Sequence, residues 1–147
     1  MNVNEKGAVG LIEVIRDLTR KGYECFTPIH DYSKVDLIAM NKDSQLLKLQ
    51  IKYRTTVRDK IDVGFHSVVN SKKVPMDLSA IDGWAVYCPE VDKVVYVNKS
   101  EINSELNGFS FRLKPGKATF NTSNGKTRVK LFDEFGDVAE WPKAAGC

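Results

Sequence analysis

Residues 35–53 constrain the fold more than any other stretch of the chain. Two apolar runs, Val35-Asp36-Leu37-Ile38-Ala39-Met40 and Leu46-Leu47-Lys48-Leu49-Gln50-Ile51-Lys52-Tyr53, flank the polar, turn-prone segment Asn41-Lys42-Asp43-Ser44-Gln45. This is the pattern of a β-hairpin. An acid interrupts the first run, and an amide and an ammonium interrupt the second. Apolar strands seldom carry such groups alone, because an unpaired charge in a dry interior is costly. Strand alternation points Lys48, Gln50 and Lys52 to one side, and Leu47, Leu49, Ile51 and Tyr53 to the other. If residues 41–45 all form the loop, Asp36 lies opposite Gln50 with Cβ atoms about 5 Å apart, and Lys52 is a diagonal neighbour at roughly 7–8 Å. A loop shorter by one residue moves Asp36 opposite Leu49 and turns Gln50 to the other face. Asp36, Gln50 and Lys52 are thus a candidate site. The plain alternative is a buried Asp36–Lys52 ion pair, with Gln50 filling leftover hydrogen bonds.

At 147 residues the chain is expected to form a single domain with a real core. No run reaches the length of a membrane span, and Met1-Asn2-Val3-Asn4-Glu5 does not read as a signal peptide. Cys25, Cys88 and Cys147 are odd in number and scattered, which suits free thiols in a reducing compartment, and the expected location is cytoplasmic, without membrane contact. His30 and His66 are the only histidines, so zinc spacing is absent and a histidine-based triad has little to draw on. The net charge of +3 is modest but unevenly placed. Residues 44–58 hold Lys48, Lys52, Arg54 and Arg58 without an acid, and residues 106–132 hold Arg112, Lys114, Lys117, Lys126, Arg128 and Lys130 without an acid. Such blocks suit a polyanion.

Ala8, Leu11, Ile12, Ile15 and Leu18 form one stripe of a helix expected over 6–21, ended by Gly22. Tyr23 to Pro28 reads as a strand, and Asp62 to Phe65 as extended or loop. Trp84–Cys88 and Val94–Val97 read as buried strands, and Trp84, Val86, Tyr87 and Val95 as core. Ser100 is a candidate cap for a short helix over 101–106. Phe109–Leu113 reads as a strand, Lys114–Lys117 as a turn, Thr119–Thr127 as a loop with a tight turn at Asn124-Gly125, and Arg128–Phe132 as a last short strand. Trp141 is a candidate interface residue. The order implies an α/β layered domain.

The opening Lys6-Gly7-Ala8-Val9-Gly10, then Gly22-Tyr23, Phe26-Thr27-Pro28, Asp36 and Gln50-Ile51-Lys52, resembles the PD-(D/E)XK nucleases, and most of all the intron-encoded homing endonucleases of cyanobacteria. Holliday-junction resolvases of archaea are more distant in likeness. The resemblance is concentrated in residues 6–54. Val35 stands where the motif has proline, Gln50 where it commonly has an acid, and Leu11 where many relatives carry a glutamate facing the metal.

What the resemblance implies is a restriction-endonuclease-like core: a mixed central sheet flanked by helices, with the nuclease core over 6–98 and a basic extension over 99–147 for DNA binding and oligomerisation. It implies a bacterial protein that hydrolyses phosphodiester bonds of double-stranded DNA, as a homodimer or homotetramer on a long near-palindromic target. It implies Mg²⁺ or Mn²⁺ held by Asp36, the Gln50 side-chain oxygen and the Ile51 carbonyl, since a phosphate-cleaving site needs a hard cation among oxygens. Lys52 is then an electrostatic stabiliser of developing charge. Arg54, Arg58, Lys34, Lys114, Lys117 and Lys126 are the expected DNA contacts, together with Arg112, Arg128 and Lys130 as candidate base readers. Two other readings stay open: a junction resolvase on the same core, and a DNA-binding protein descended from a nuclease, impaired by Leu11 and Gln50.

Overall fold

The computed structural model describes every residue except 31, 104–106, 115–118, 123, 124, 129 and 142–147, and the backbone alone for 66–69, 73, 75, 119–122 and 125–128. Helix α1 (Val3–Arg20) opens the chain. Asn2 caps it: the Glu5 N–H donates to the Asn2 side chain at 2.9 Å, and the Asn2 N–H donates to the Glu5 carboxylate at 3.1 Å. This reciprocal box satisfies two donors that the helix itself cannot, and so starts the helix before Lys6, where the apolar stripe alone placed it. At the other end Gly22 takes φ +89, the Tyr23 N–H donates to the Leu18 carbonyl and the Gly22 N–H to the Thr19 carbonyl. That paired closure needs the left-handed conformation glycine adopts freely.

Twelve strands follow among the described residues: β1 (Glu24–Phe26), β2 (Leu37–Met40), β3 (Leu46–Tyr53), β4 (Ile61–Gly64), β5 (His66–Val69), β6 (Lys72–Pro75), β7 (Gly83–Cys88), β8 (Lys93–Asn98), β9 (Gly108–Arg112), β10 (Thr119–Thr122), β11 (Gly125–Arg128) and β12 (Lys130–Leu131). The central sheet has the order β1-β2-β3-β7-β8 and is mixed, because β3 and β7 run parallel while the other pairs are antiparallel. A second sheet, β12-β9-β4, is separate.

Two apolar cores fix the layers. On one face of the central sheet, Val14 and Leu18 of α1 pack with Leu37, Ala39, Leu47 and Leu49. On the other, Trp84, Val86, Val95 and Val97 pack with Ile61, Val63 and Phe111 of the smaller sheet. Fully burying a leucine or valine is worth about 1.5–3 kcal/mol, so these two seams supply most of what holds the layers together. The segment beyond residue 98 joins both: Phe111 and Leu113 sit in the second core, Val138 and Trp141 in the first.

Several expectations change. Thr119–Thr127 is not simply a loop, since β10 and β11 pair as a hairpin. Its Asn124 lies outside the described residues. In place of a helix over 101–106 there is a 3-10 turn at Lys99–Glu101, capped by Asn98 and not by Ser100, and 104–106 lie outside the described residues. The β5–β6 hairpin had no counterpart in the sequence reading. Trp141 is only 4 % exposed and meets the Tyr96 ring edge-on, so it is a core residue and not an exposed interface residue.

Candidate active site

The hairpin has the longer loop. Leu37 pairs with Leu49 and Met40 with Leu46, which leaves residues 41–45 as the connection. The Asn41 side chain organises it, accepting from the N–H groups of Asp43 and Gln45 at 3.0 and 2.9 Å. That is the Asx-turn chemistry for which asparagine is favoured.

Asp36 stands just before β2. Val35 packs into one core and Leu37 into the other, so the chain turns at Asp36 and strand alternation does not continue through it. Its own N–H donates to the Leu49 carbonyl at 2.9 Å, and its Oδ2 accepts the Ile51 N–H at 2.8 Å. Asp36 therefore straddles Gln50, along an edge of β3 that β2 no longer covers. The Ile51 carbonyl points to that same edge, because N–H and C=O of one extended residue face the same neighbour. Oδ1 of Asp36 makes no hydrogen bond among the described residues.

Gln50 and Lys52 lie on the side of β3 away from α1. The Trp84 Nε1–H donates to Gln50 Oε1 at 3.1 Å, and Gln50 Nε2 donates to Met76 Sδ at 3.7 Å. Lys52 pairs in register with Val86 and is half-buried. Asp36 and Lys52 do not close a salt bridge, which sets aside the tight ion pair as the explanation of the trio. They still act on each other at a distance. Burial raises the Asp36 pKa above the usual carboxylate value, partly offset by the Ile51 hydrogen bond and the Lys52 charge. Burial lowers the Lys52 pKa, the Arg54 charge lowers it further, and Asp36 opposes both. Charged groups are thus being held in a partly dry place without full pairing, which is common at functional sites.

The donor set suits a hard divalent cation: an open carboxylate oxygen, an amide oxygen with a second lone pair, and a backbone carbonyl. It carries one negative charge, and no cluster of three or more His, Cys, Asp or Glu occurs among the described residues. Leu11 adds no oxygen. It packs against the helix-side core together with Ile51.

The profile of the PD-(D/E)XK endonuclease family matches residues 1–136. The chain belongs to that family. Among solved structures it is similar to a bacterial homing endonuclease, I-Ssp6803I, at 13 % identity and a TM-score of 0.63, over 86 % of this chain and 89 % of that one. That likeness is one of fold. No curated protein matches by sequence.

A PD-(D/E)XK endonuclease acts on DNA, so the placement of its cations matters. Lys34 and Arg58 are exposed. Arg58 and Asp59 form a two-residue turn with φ 53 and 63, bridged by Val57 and Lys60, so Arg58 is carried at a tight tip. Arg54 is half-buried, and its Nη1 donates to the Tyr53 carbonyl at 2.9 Å. Lys114 and Lys130 are exposed, with the Lys130 ammonium 5.2 Å from the centre of the Phe135 ring. Arg112 is different. It is 1 % exposed on β9, the middle strand of its sheet, and does not present its guanidinium to a duplex. Lys117 lies outside the described residues, and for Lys126 and Arg128 only the backbone of β11 is described. The sequence pattern marks Trp84 as core in preference to interface, with no part in the site, and gives no signal at Met76. The pairing that brings Trp84 to Gln50 is a parallel contact between residues 34 positions apart, and it leaves no local signal.

Proposed function

We propose that the protein is a metal-dependent endonuclease of the intron-homing type, cutting double-stranded DNA at a long near-palindromic target as a homodimer or homotetramer. The observation that carries the reading is the arrangement of Asp36: it turns out of β2, bonds to β3 on both sides of Gln50, and leaves one carboxylate oxygen open beside a half-buried Lys52. The fold shared with a homing endonuclease and the cations at Lys34, Arg58, Lys114 and Lys130 support the choice of substrate.

Asp36 Oδ1, Gln50 Oε1 and the Ile51 carbonyl would hold Mg²⁺ or Mn²⁺. When bound, such an ion supplies Lewis acidity toward a phosphate. Asp36 is held for this by the Ile51 N–H, which fixes one oxygen and frees the other. Gln50 is neutral, so the protein alone binds the ion weakly and the phosphates of DNA complete the charge. Lys52 sits where burial strengthens its field, and offsets the negative charge that grows on the phosphate oxygens during displacement. Arg54, two residues on, adds positive potential at the same end of β3, and its charge lowers the Lys52 pKa, which Asp36 opposes. Exposed cations set the register on the backbone.

One observation favours a second reading. Leu11 packs into the helix-side core instead of offering a carboxylate, which fits a protein that binds DNA and turns over poorly. Cleavage of a plasmid bearing a candidate insertion site, with Mg²⁺, by this chain and by Leu11→Glu separates the two. Activity only in Leu11→Glu selects the second reading, and activity in both selects the first.

A further inference from the structure

We propose that Trp84 is a positioning residue, which from inside the core sets which end of the Gln50 carboxamide is offered as a metal ligand. The inference rests on the metal-site reading above. Trp84 is fully buried, and its ring is seated against Phe65 and Phe109 with centroids 5.5 and 5.0 Å away. It cannot move to follow the amide. Its Nε1–H donates to Gln50 Oε1 at 3.1 Å, while Gln50 Nε2 donates to Met76 Sδ at 3.7 Å. The register of β3 against β7 sets Gln50 and Trp84 side by side.

A carboxamide has chemically opposite ends. Oxygen ligates a cation, whereas the NH₂ group repels it. An indole N–H is a donor only, so the flipped amide would face it donor to donor. Trp84 therefore excludes the flipped form, and the bonded oxygen keeps a second lone pair for the ion. A glutamate at this place would have no wrong end. The clamp matters because position 50 is glutamine.

The test compares Mn²⁺ binding, read by the paramagnetic resonance of free Mn²⁺, for this chain, Trp84→Phe, Gln50→Glu and the double variant. A freed glutamine spreads over several rotamers and two amide orientations, so Trp84→Phe is expected to weaken Mn²⁺ binding about tenfold. In the Gln50→Glu background the same change is expected to cost less than about threefold, because either carboxylate oxygen can ligate. Equal losses in both backgrounds would mean that Trp84 acts through packing alone, and would overturn the proposal. Met76→Leu keeps volume and removes the acceptor for Gln50 Nε2. It serves if Trp84→Phe does not fold, with a smaller loss in the same direction expected and no loss counting against the clamp. Metal-free NMR of the Gln50 side-chain NH₂ decides the matter independently. A rigid amide in this chain that becomes mobile in Trp84→Phe supports the clamp, and an amide mobile in both overturns it. If Asp36→Ala binds Mn²⁺ as well as this chain does, the metal-site reading fails, while the NMR result still judges the clamp.

Discussion

Three glycines test the packing of the layers because the same substitution should change sign among them. Gly83 opens β7, between Leu49 of β3 and Asn98 of β8. A Cβ there would stand 2.2 Å from the Val97 carbonyl oxygen, 2.6 Å from Trp141 Cη2 and 3.0 Å from Asn98 Cα. The first and last of these are backbone atoms, which no rotamer change can move, and the second belongs to a core tryptophan. Relieving the overlap needs a shift of about 1 Å between two central strands, and overpacking of that kind costs about 3 kcal/mol, at the upper end of its usual range. Total stabilities are of order 5–15 kcal/mol, so the fold survives but is visibly weakened. Gly83→Ala should lower the melting temperature by roughly 6–12 °C. Gly7, in α1, would meet nothing within 4 Å, so Gly7→Ala gains helix propensity of about 1 kcal/mol and should stabilise. Gly10 would meet Tyr53 Cβ at 3.4 Å and Ile51 Cγ2 at 3.6 Å, and its alanine variant should fall between the two. Urea unfolding followed by tryptophan fluorescence, at fixed protein concentration, reads all three. A change under about 0.5 kcal/mol for Gly83→Ala, or a destabilised Gly7→Ala, would refute the packing argument.

Other predictions concern the site and the thiols. Because the folded state raises the Asp36 pKa, the stability Asp36 contributes is full below its ordinary value near about 4 and is lost as pH rises through the folded value. Asp36→Asn should therefore match this chain at low pH and exceed it in urea stability at pH 7, and a less stable Asn variant at pH 7 would contradict the burial of Asp36. Lys52 is the mirror case: its stability contribution is present above its ordinary pKa and lost as pH falls through the lowered one, so Lys52→Met should be the more stable at pH 7, with the gap closing in alkali. Cys88 is fully buried with its thiol pushed up to about 12, and burial also raises Cys25. Alkylation mapped by mass spectrometry should leave Cys88 unmodified in the native protein and label it on unfolding, with Cys25 slow but detectable.

The hairpin was legible in the sequence because two apolar runs flank a polar turn, but the pattern left two registers open, and the pairing of Leu37 with Leu49 selects the one with residues 41–45 as the loop. What could not be read was the turn of the chain at Asp36. An Asp at the start of an apolar run looks the same whether the strand continues through it or bends to cap its neighbour. The start of α1 was readable in principle from Asn2 and Glu5, a capping box that the apolar stripe does not include. Arg112 misled for a topological reason. Phe109 to Leu113 alternates like a half-exposed strand, but β4 and β12 pair on either side of it, and the fold closes over the arginine. The parallel pairing of β3 with β7, which builds the floor under Gln50, depends on contacts far apart in the chain and has no local pattern.

The decisive question is whether the Asp36 edge of β3 supports phosphodiester hydrolysis. The direct measurement is cleavage of duplex DNA carrying a candidate insertion site, with Mg²⁺ and with EDTA, by this chain, Asp36→Ala and Lys52→Ala at equal folded concentration. EDTA-sensitive cleavage by this chain is expected, abolished in Asp36→Ala and lowered roughly 10²–10³-fold in Lys52→Ala, the size of effect that removing one transition-state charge partner has. Cleavage by Lys52→Ala or Asp36→Ala at the rate of this chain would contradict it.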